Sequence, residues 1–308
     1  KPPEAIISSE VPRSGCRMIR AAGAKWLQGR CTGLDAAAQT VMAASTGKNK
    51  ALPPELRYDL LSIDTGAVID RSRLEAEMPG ASERALIVRP IEVFASLWPR
   101  VLDMAREKPL SIAVIGAGAA GLELLFAAEQ RLREAGFQAT QFTLLTGGAD
   151  IAAHYPAGVR RRVLRRLKQR GITVLRETCT GIGPQGLQLG SGATLLCDVP
   201  LLAIGAQAPA WLQGSGLALS DTGQVLVNAF QQSPSHANVF AAGDVCTRAD
   251  WPHAQSGVNA VRAGPPLAAN LLAAHEGQSL KAHHPPANTL NLLSCGAGHA
   301  IATWGPLH

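Results

Sequence analysis

The chain has 308 residues, of which 46% are apolar and 17% charged, and its formal net charge is +6. This length and composition are typical of two globular domains with ordinary cores, and they exclude a disordered or fibrous protein. The apolar runs fall well below the roughly 20 residues that span a bilayer, so we predict no transmembrane segment and a cytoplasmic location, with peripheral membrane contact left open. The six cysteines include no Cys-x-x-Cys pair, which favours free thiols over a disulfide framework or a metal site.

The front of the chain is predicted to form short strands. Residues 24–35 and 40–43 indicate two strands joined by a turn, and residues 56–66 indicate an apolar strand that ends at Thr65 and Gly66. Because glycine has no side chain, a strand that ends in this way lets the backbone approach a ligand closely.

A connecting helix leads to the most informative motif. Residues 90–105 predict this helix, and we expect it to break or restart near Pro99. An apolar strand then ends in Gly116, Gly118 and Gly121, which have Gly-x-Gly-x-x-Gly spacing. The first glycine permits a tight turn, the second lets a pyrophosphate approach, and the third lets the next helix pack on the strand. We therefore predict a dinucleotide-binding turn rather than a glycine-rich packing turn.

Further strands and helices complete a nucleotide-binding unit. Residues 141–146 and 171–175 predict the second and third parallel strands, and residues 198–205 predict another that ends at Gly205. The arginine-rich segment 159–170 predicts an amphipathic helix whose charges form a solvated face. Attraction for an anionic cofactor or for lipid phosphates is the alternative, and no nucleic-acid motif accompanies the charge.

The last third of the chain alternates strands with one long helix. Glycine and proline residues separate these segments. The predicted elements are strands at 225–228 and 237–245, a helix from Ala254 or Gln255 to about Leu272, and strands at 289–294 and 300–304.

Three of these segments resemble the pyridine nucleotide-disulfide oxidoreductases, which are flavoproteins with two dinucleotide-binding domains. The segments are Tyr58–Gly66, Gly116–Glu123 and Asn238–Val245, and they occur in the family's order. The resemblance implies an α/β fold with two Rossmann-like domains. An NAD(P)H-binding domain at 109–209 would be inserted between two parts of an FAD-binding domain, 1–108 and 210–308.

The same resemblance implies the cofactor-binding residues. Asp244 would bond to the ribityl chain of FAD, and the helix after Gln255 would point its N-terminus at the flavin pyrimidine. Glu123 would lie near the nicotinamide, with an ordinary first-turn acid as the alternative. No side chain is assigned a catalytic role, because the flavin carries the chemistry. The complete set is Thr65, Gly66, Gly116, Gly118, Gly121, Glu123, Gly205, Gly243, Asp244, Ala254 and Gln255.

Three departures from the family pattern qualify these expectations. The family's first Gly-x-Gly-x-x-Gly is absent between Lys1 and Gly66, so we expect either a missing N-terminal piece, which leaves the FAD domain incomplete, or weak FAD binding. Paired redox cysteines are also absent, which favours a quinone, oxygen or another small electron acceptor. Finally, Thr146 stands where an acid usually meets the ribose. Asp150 in the following loop is an alternative acid for the ribose, but the missing acid together with Arg160–Arg162 favours NADPH.

The implied function is an FAD-dependent oxidoreductase that takes hydride from NAD(P)H and passes electrons to a small acceptor. Within the family, the chain resembles the NADH dehydrogenase-like branch, including the modules joined to selenide, water dikinase. One alternative is a sulfide:quinone-type oxidoreductase that uses Cys179 and Cys295, although buried structural thiols are the simpler interpretation. Another is a non-catalytic nucleotide-binding or regulatory module. A homodimer is left open.

Overall fold

The structure is a computed structural model that describes residues 5–8, 17, 19–45, 52–89, 91–251, 256–286, 288–305 and 307. Contacts divide the chain into two compact units, each made of two chain segments. Unit 1 consists of Lys1–Ala67 and Gln207–Pro285, and unit 2 consists of Val68–Ala206 and Pro286–His308.

The front segment of unit 1 forms a four-stranded sheet and one further strand. The first two strands of the sheet run parallel, and the others are antiparallel hairpin partners. The elements are β1 (Ala5–Ser8), β2 (Lys25–Asp35), β3 (Thr40–Ser45), β4 (Glu55–Arg57) and β5 (Leu61–Ile63), with the sheet order β1-β2-β3-β4.

The prediction of one strand over 56–66 is wrong, because the chain changes sheets there. Tyr58 N still donates to Gln39 O (3.0 Å), as a continuation of the front sheet. Leu61 N instead donates to Asn238 O (2.9 Å), which belongs to the returning segment of unit 1. Two short strands with different partners therefore replace one continuous strand.

Unit 2 begins with three helices and a short strand. Asp70 caps the first helix, since its side chain accepts hydrogen bonds from Ser72 N and Arg73 N. The elements are α1 (Arg71–Glu77), α2 (Ala81–Arg84), β6 (Leu86–Ile87) and α3 (Ile91–Glu107).

The predicted break at Pro99 is wrong, because α3 continues through it. A proline inside a helix removes one backbone hydrogen bond, so packing must compensate for that loss. Phe94 and Trp98 stack with their ring centroids 5.8 Å apart, and Val101 and Ala105 are buried in the core of unit 2. This apolar face holds both halves of the helix on the same surface.

A parallel five-stranded sheet forms the centre of unit 2 and confirms the predicted βαβαβ arrangement. Its order is β6-β13-β7-β8-β9, and all neighbouring strands are parallel. Most residues of its central strands are buried, as expected for a sheet covered on both faces. The elements are β7 (Ser111–Ile115), α4 (Ala119–Glu134), β8 (Gln141–Leu145), α5 (Ala157–Gln169), β9 (Thr173–Leu175) and β13 (Val199–Leu202), with an antiparallel sheet of β10 (Cys179–Gly183), β11 (Gly186–Leu189) and β12 (Thr194–Leu196).

The remaining elements are divided between the two units. The second segment of unit 1 contains three strands and a long helix, and the side chain of its N-cap Ser256 accepts a hydrogen bond from Asn259 N at 3.2 Å. Unit 2 regains an antiparallel hairpin. The elements are β14 (Val225–Val227), β15 (Val239–Ala241), β16 (Cys246–Arg248) and α6 (Gly257–His275) in unit 1, and β17 (Leu290–Ser294) and β18 (Ala300–Trp304) in unit 2.

The unit boundaries differ from the predicted nucleotide-binding segment at 109–209. Unit 2 starts earlier because β6 pairs with β13 and α3 contributes to the core. It also includes the C-terminal hairpin, because Leu293 and Cys295 are buried in that same core. These additions enlarge unit 2, while the sheet that carries the predicted turn stays as expected.

Candidate dinucleotide-binding sites

The turn after β7 requires glycine at its first and last positions. Gly116 has a φ of +117°, and a Cβ built there would lie 2.3 Å from the carbonyl oxygen of Ala203. A Cβ on Gly121 would lie 1.9 Å from the carbonyl oxygen of Gly116. Both contacts are with backbone, which cannot move aside as a flexible side chain can. The first and third glycines of the motif therefore bring α4 against the end of β7.

Gly118, the middle glycine, has different surroundings. It has a φ of −75°, and a Cβ built there meets nothing within 4 Å. It is also the N-cap of α4, and no side chain among the described residues caps the helix there. The N–H groups of a helix N-terminus carry a partial positive charge and bind phosphate groups. The open space at Gly118 thus lies at the end of α4 that attracts an anion.

Gly205 lies near the same edge of the sheet. β13 is the neighbour of β7, and Ala203 N donates to Ile115 O at 3.0 Å. Gly205 follows two residues later, is exposed, and has open space where a side chain would be. Because carboxyl ends of parallel strands meet at one edge, the predicted residues Gly116, Gly118 and Gly205 occupy the usual ligand-binding edge of such a sheet.

Glu123 makes a contact that the sequence did not predict. Its Oε1 accepts a hydrogen bond from the backbone N–H of Ser294 at 2.9 Å, which ties α4 to the C-terminal hairpin. Its charge also raises the pKa of the Tyr155 hydroxyl, although burial of that hydroxyl is the larger cause. Its predicted place beside a nicotinamide stays a prediction, while the contact with Ser294 gives the carboxylate a structural role.

Thr146 does not present its side chain to solvent at the end of β8. The residue is buried, and no described group pairs with its Oγ1. Gly147 and Gly148 follow, both with positive φ and open surroundings. The position where many NAD enzymes carry an acid is therefore occupied by an inward-facing hydroxyl and two residues without side chains.

In unit 1, the predicted site residues follow two paired strands. β5 and β15 run parallel, with Ile63 opposite Ala241. Thr65 and Gly66 follow β5, and Gly243 and Asp244 follow β15 in a single 3-10 turn. The structure therefore brings together four residues that two distant sequence segments supply.

Both glycines of this edge have backbone conformations that favour glycine. The φ angles of Gly66 and Gly243 are +68° and +76°. A Cβ on Gly66 would meet nothing within 4 Å, whereas one on Gly243 would lie 3.5 Å from the Cβ of Ala260 in α6. The first turn of α6 thus packs on the Gly243 turn. The predicted residues Ala254 and Gln255 lie outside the described residues.

Asp64 and Cys246 are titratable groups at this edge that the sequence analysis did not single out. Desolvation by the surrounding chain raises the pKa of the Asp64 carboxyl, while hydrogen bonds from Ser62 and from the backbone of Ala242 oppose that rise. Burial, together with the charges of Asp64 and Asp244, raises the pKa of the Cys246 thiol to about 12. The edge therefore holds an uncharged thiol whose pKa is raised by burial and by two nearby acidic residues. The sequence offered one signal for Asp64, which directly precedes the predicted site residue Thr65.

Cys179 and Cys295, the candidates for sulfur chemistry, are both buried. Burial raises the pKa of each thiol. Sγ of Cys179 donates to the carbonyl oxygen of Gly181 at 3.3 Å. Since the thiolate is the reactive form, these surroundings are those of structural thiols.

Fold and site geometry together define an α/β protein of two compact units, each with a glycine-bearing edge of parallel strands. The chain belongs to the family described as pyridine nucleotide-disulphide oxidoreductase, which it matches over residues 4–264. This match confirms the family resemblance and the Rossmann-like fold predicted from the sequence.

Individual relatives cover different shares of the chain. It is 26% identical over 233 residues to demethylphylloquinone reductase NdbB from Synechocystis sp., a match that covers 74% of this chain and 55% of that protein. It is 25% identical over 293 residues to ferroptosis suppressor protein 1 from Xenopus tropicalis, which covers 90% of this chain and 70% of that protein. The chain thus spans little more than half the length of the first relative.

A solved structure supports the fold. The sulfide:quinone oxidoreductase from Aquifex aeolicus superposes with a TM-score of 0.72 at 16% identity, over 94% of this chain and 72% of that chain. At this identity, the likeness extends to the fold alone. Within the described part of the chain, no helix has the length and apolar character needed to cross a membrane.

Proposed function

We propose that this chain acts as an FAD-dependent oxidoreductase that takes hydride from NAD(P)H and passes the electrons to a quinone or another small acceptor. The observation that carries the proposal is the geometry of the Gly116–Gly121 turn. Gly116 and Gly121 pack closely against backbone atoms, and Gly118 between them leaves open space at a helix N-terminus. Unit 2 is the proposed NAD(P)H-binding unit. Bound FAD would supply the hydride-accepting and electron-transfer chemistry.

The role of unit 2 is to hold the pyrophosphate of the dinucleotide. The uncapped N-terminus of α4 supplies backbone N–H donors and a partial positive charge, and Gly118 lets the phosphate oxygens approach those donors. Ala119 and Ala120, which follow, have small side chains and no charge. Hydrogen bonds from backbone to phosphate fix the position of the cofactor without a titratable group.

Unit 1 is the proposed flavin-binding unit. Its residues fit that cofactor, because Gly66 and Gly243 have positive φ and carry no side chain at the edge of β5 and β15. Asp244 lies beside Gly243 in the 3-10 turn after β15. A carboxylate at that place accepts hydrogen bonds from hydroxyl groups of a ribityl chain. The N-terminus of α6, which packs on this turn, favours negative charge nearby.

A quinone is the proposed acceptor because a sequence relative supports it by name. NdbB from Synechocystis sp. is called a demethylphylloquinone reductase. Sulfide as electron donor is the weaker alternative, since Cys179 and Cys295 are buried and their thiol pKa values are raised. A quinone acceptor would favour peripheral membrane contact, and a homodimer also stays a prediction.

The test is an anaerobic titration of the chain reconstituted with FAD. We expect NADPH or NADH to bleach the visible band of oxidised FAD, and a soluble quinone to restore it. Retained FAD without bleaching would support a non-catalytic nucleotide-binding module instead. Bleaching by sulfide that is lost in Cys179→Ser would support the sulfide alternative.

A further inference from the structure

Three charged side chains from separate segments of unit 2 converge near the carboxyl end of β8. Arg160 lies in the first turns of α5, Arg176 directly follows β9, and Asp150 lies in the loop after β8. Arg160 Nη1 is 3.0 Å from Asp150 Oδ2, and Arg176 Nη2 is 3.5 Å from Asp150 Oδ1. A single carboxylate therefore bridges two guanidinium groups.

Backbone contacts place this cluster on the same sheet edge as the dinucleotide turn. Thr146 N donates to Leu175 O at 3.0 Å, so the ends of β8 and β9 are joined directly before Arg176. On the other side of β8, Leu145 pairs with Ile115, the residue before Gly116. In dinucleotide-binding domains, the end of this second strand receives the adenosine ribose, through an acid for a 2'-hydroxyl or an arginine for a 2'-phosphate.

The charges at this edge suit the phosphate rather than the hydroxyl. Thr146 faces inward, and Gly147 and Gly148 carry no side chain. Asp150, the acid nearest this position, already pairs with both arginines. Glu177 is the other carboxylate of this edge; it is half-buried next to Arg176 and weakens the local positive potential without removing either guanidinium.

We propose that Arg160 and Arg176 form a binding site for the 2'-phosphate of NADPH, and that Asp150 is an internal counter-ion which the phosphate displaces. A phosphate monoester carries roughly 1.5 to 2 negative charges and three acceptor oxygens, so it binds both guanidinium groups more strongly than one carboxylate does. Asp150 is 55% exposed, so turning it into solvent costs little. The inference rests on the proposed function, because the ribose reaches this edge only if the pyrophosphate binds at Gly116–Gly121.

The experiment compares two ligands that differ only in the 2'-phosphate: 2',5'-ADP and AMP, titrated calorimetrically into the full chain. We expect 2',5'-ADP to bind about tenfold or more tightly. Arg160→Ala and Arg176→Ala should each reduce this ratio, and the double variant should bring it close to one. Asp150→Asn should raise the ratio, because it removes the competing carboxylate. Arg165→Ala, an exposed arginine of α5 without a described ion pair, is the matched control and should leave the ratio unchanged.

Two results would overturn the inference. Equal affinity of the wild-type chain for 2',5'-ADP and AMP would mean that Arg160 and Arg176 form no site for the 2'-phosphate. Equal weakening of both ligands in the arginine variants would mean that the cluster only holds the loop at Asp150 in place. Parallel titrations with NADH and NADPH separate this inference from the proposed function. Binding of NADH without a gain from the 2'-phosphate contradicts only the inference, whereas failure of both dinucleotides to bind contradicts the proposed function.

Discussion

The two strand edges that carry the proposed binding sites use glycine for different physical reasons. In unit 2, Cβ atoms on Gly116 and Gly121 would lie 2.3 and 1.9 Å from backbone oxygens. In unit 1, Gly66 has open surroundings, and Gly243 would make only an ordinary 3.5 Å contact. Close packing thus excludes a side chain at Gly116 and at Gly121, whereas the second edge needs glycine mainly for its positive φ. One edge is constrained by sterics within a local turn, and the other by the pairing of two distant strands.

The largest effect that separates the two edges is expected from Gly121→Ala. The new methyl group would overlap the Gly116 carbonyl, so β7 and α4 must separate, and we expect a loss of about 3 kcal/mol or more in the free energy of unfolding. Gly243→Ala places a side chain at a positive φ without a close contact, so its free energy of unfolding should fall by only about 1–2 kcal/mol. Urea denaturation followed by circular dichroism measures both variants. Equal losses would contradict the contrast between the edges.

A second prediction separates packing from ligand approach within unit 2. Gly118→Val should reduce NAD(P)H affinity about a hundredfold, because the side chain would occupy the open space at the helix N-terminus. The free energy of unfolding should fall by only about 1 kcal/mol, from the less favourable N-cap. Calorimetric titration and denaturation of the same preparation give both values. Unchanged affinity for NAD(P)H would contradict the interpretation of the turn as a dinucleotide-binding site.

A third prediction concerns ligand binding in unit 1. Asp244→Ala should weaken FAD binding about tenfold, because one charge-assisted hydrogen bond to a hydroxyl group is lost. NADH affinity, measured separately, should not change. Asp221→Ala, an exposed acid in a turn of the same unit, is the control for the loss of charge. If both variants bind FAD equally well, Asp244 has no part in the flavin site.

The smallest effect is a difference in pH dependence. Partial burial opposes ionisation of Asp198, but hydrogen bonds from Lys108 and from Ser111 N lower its pKa overall. Its stabilisation of unit 2 is therefore present above the unfolded-state pKa of about 3.9 and is lost as the pH falls through the folded-state value. The pKa of Asp64 is raised instead, so the folded state favours the protonated carboxyl. This contribution to the stability of unit 1 is lost as the pH rises through the folded-state pKa.

Two asparagine variants measure this difference. Above both pKa values, Asp198→Asn should lower the free energy of unfolding and Asp64→Asn should raise it, each by less than about 1 kcal/mol after solvent screening. Denaturation across the acid range provides the comparison. Changes of the same sign in both variants would contradict the assigned directions.

Local patterns predicted most of the parallel sheet of unit 2. The alternation of apolar runs with helical patterns placed β7, β8, β9 and β13 correctly, because each strand is an apolar run with a glycine within a few residues of one end. Two predictions failed where distant packing decided the outcome. α3 continues through Pro99, and the strand near Tyr58 divides between two sheets.

By itself, the sequence determined the family, the position of the glycine turn after β7 and the packing roles of Gly116 and Gly121, because a β-turn-α motif is a local structure whose steric needs appear in consecutive residues. Tertiary structure alone decided that Thr146 faces inward, that Glu123 binds Ser294, and that Asp150 joins Arg160 to Arg176. Each of these facts depends on which strands and helices become neighbours. Such neighbours are far apart in the chain, so no local pattern of residues encodes them.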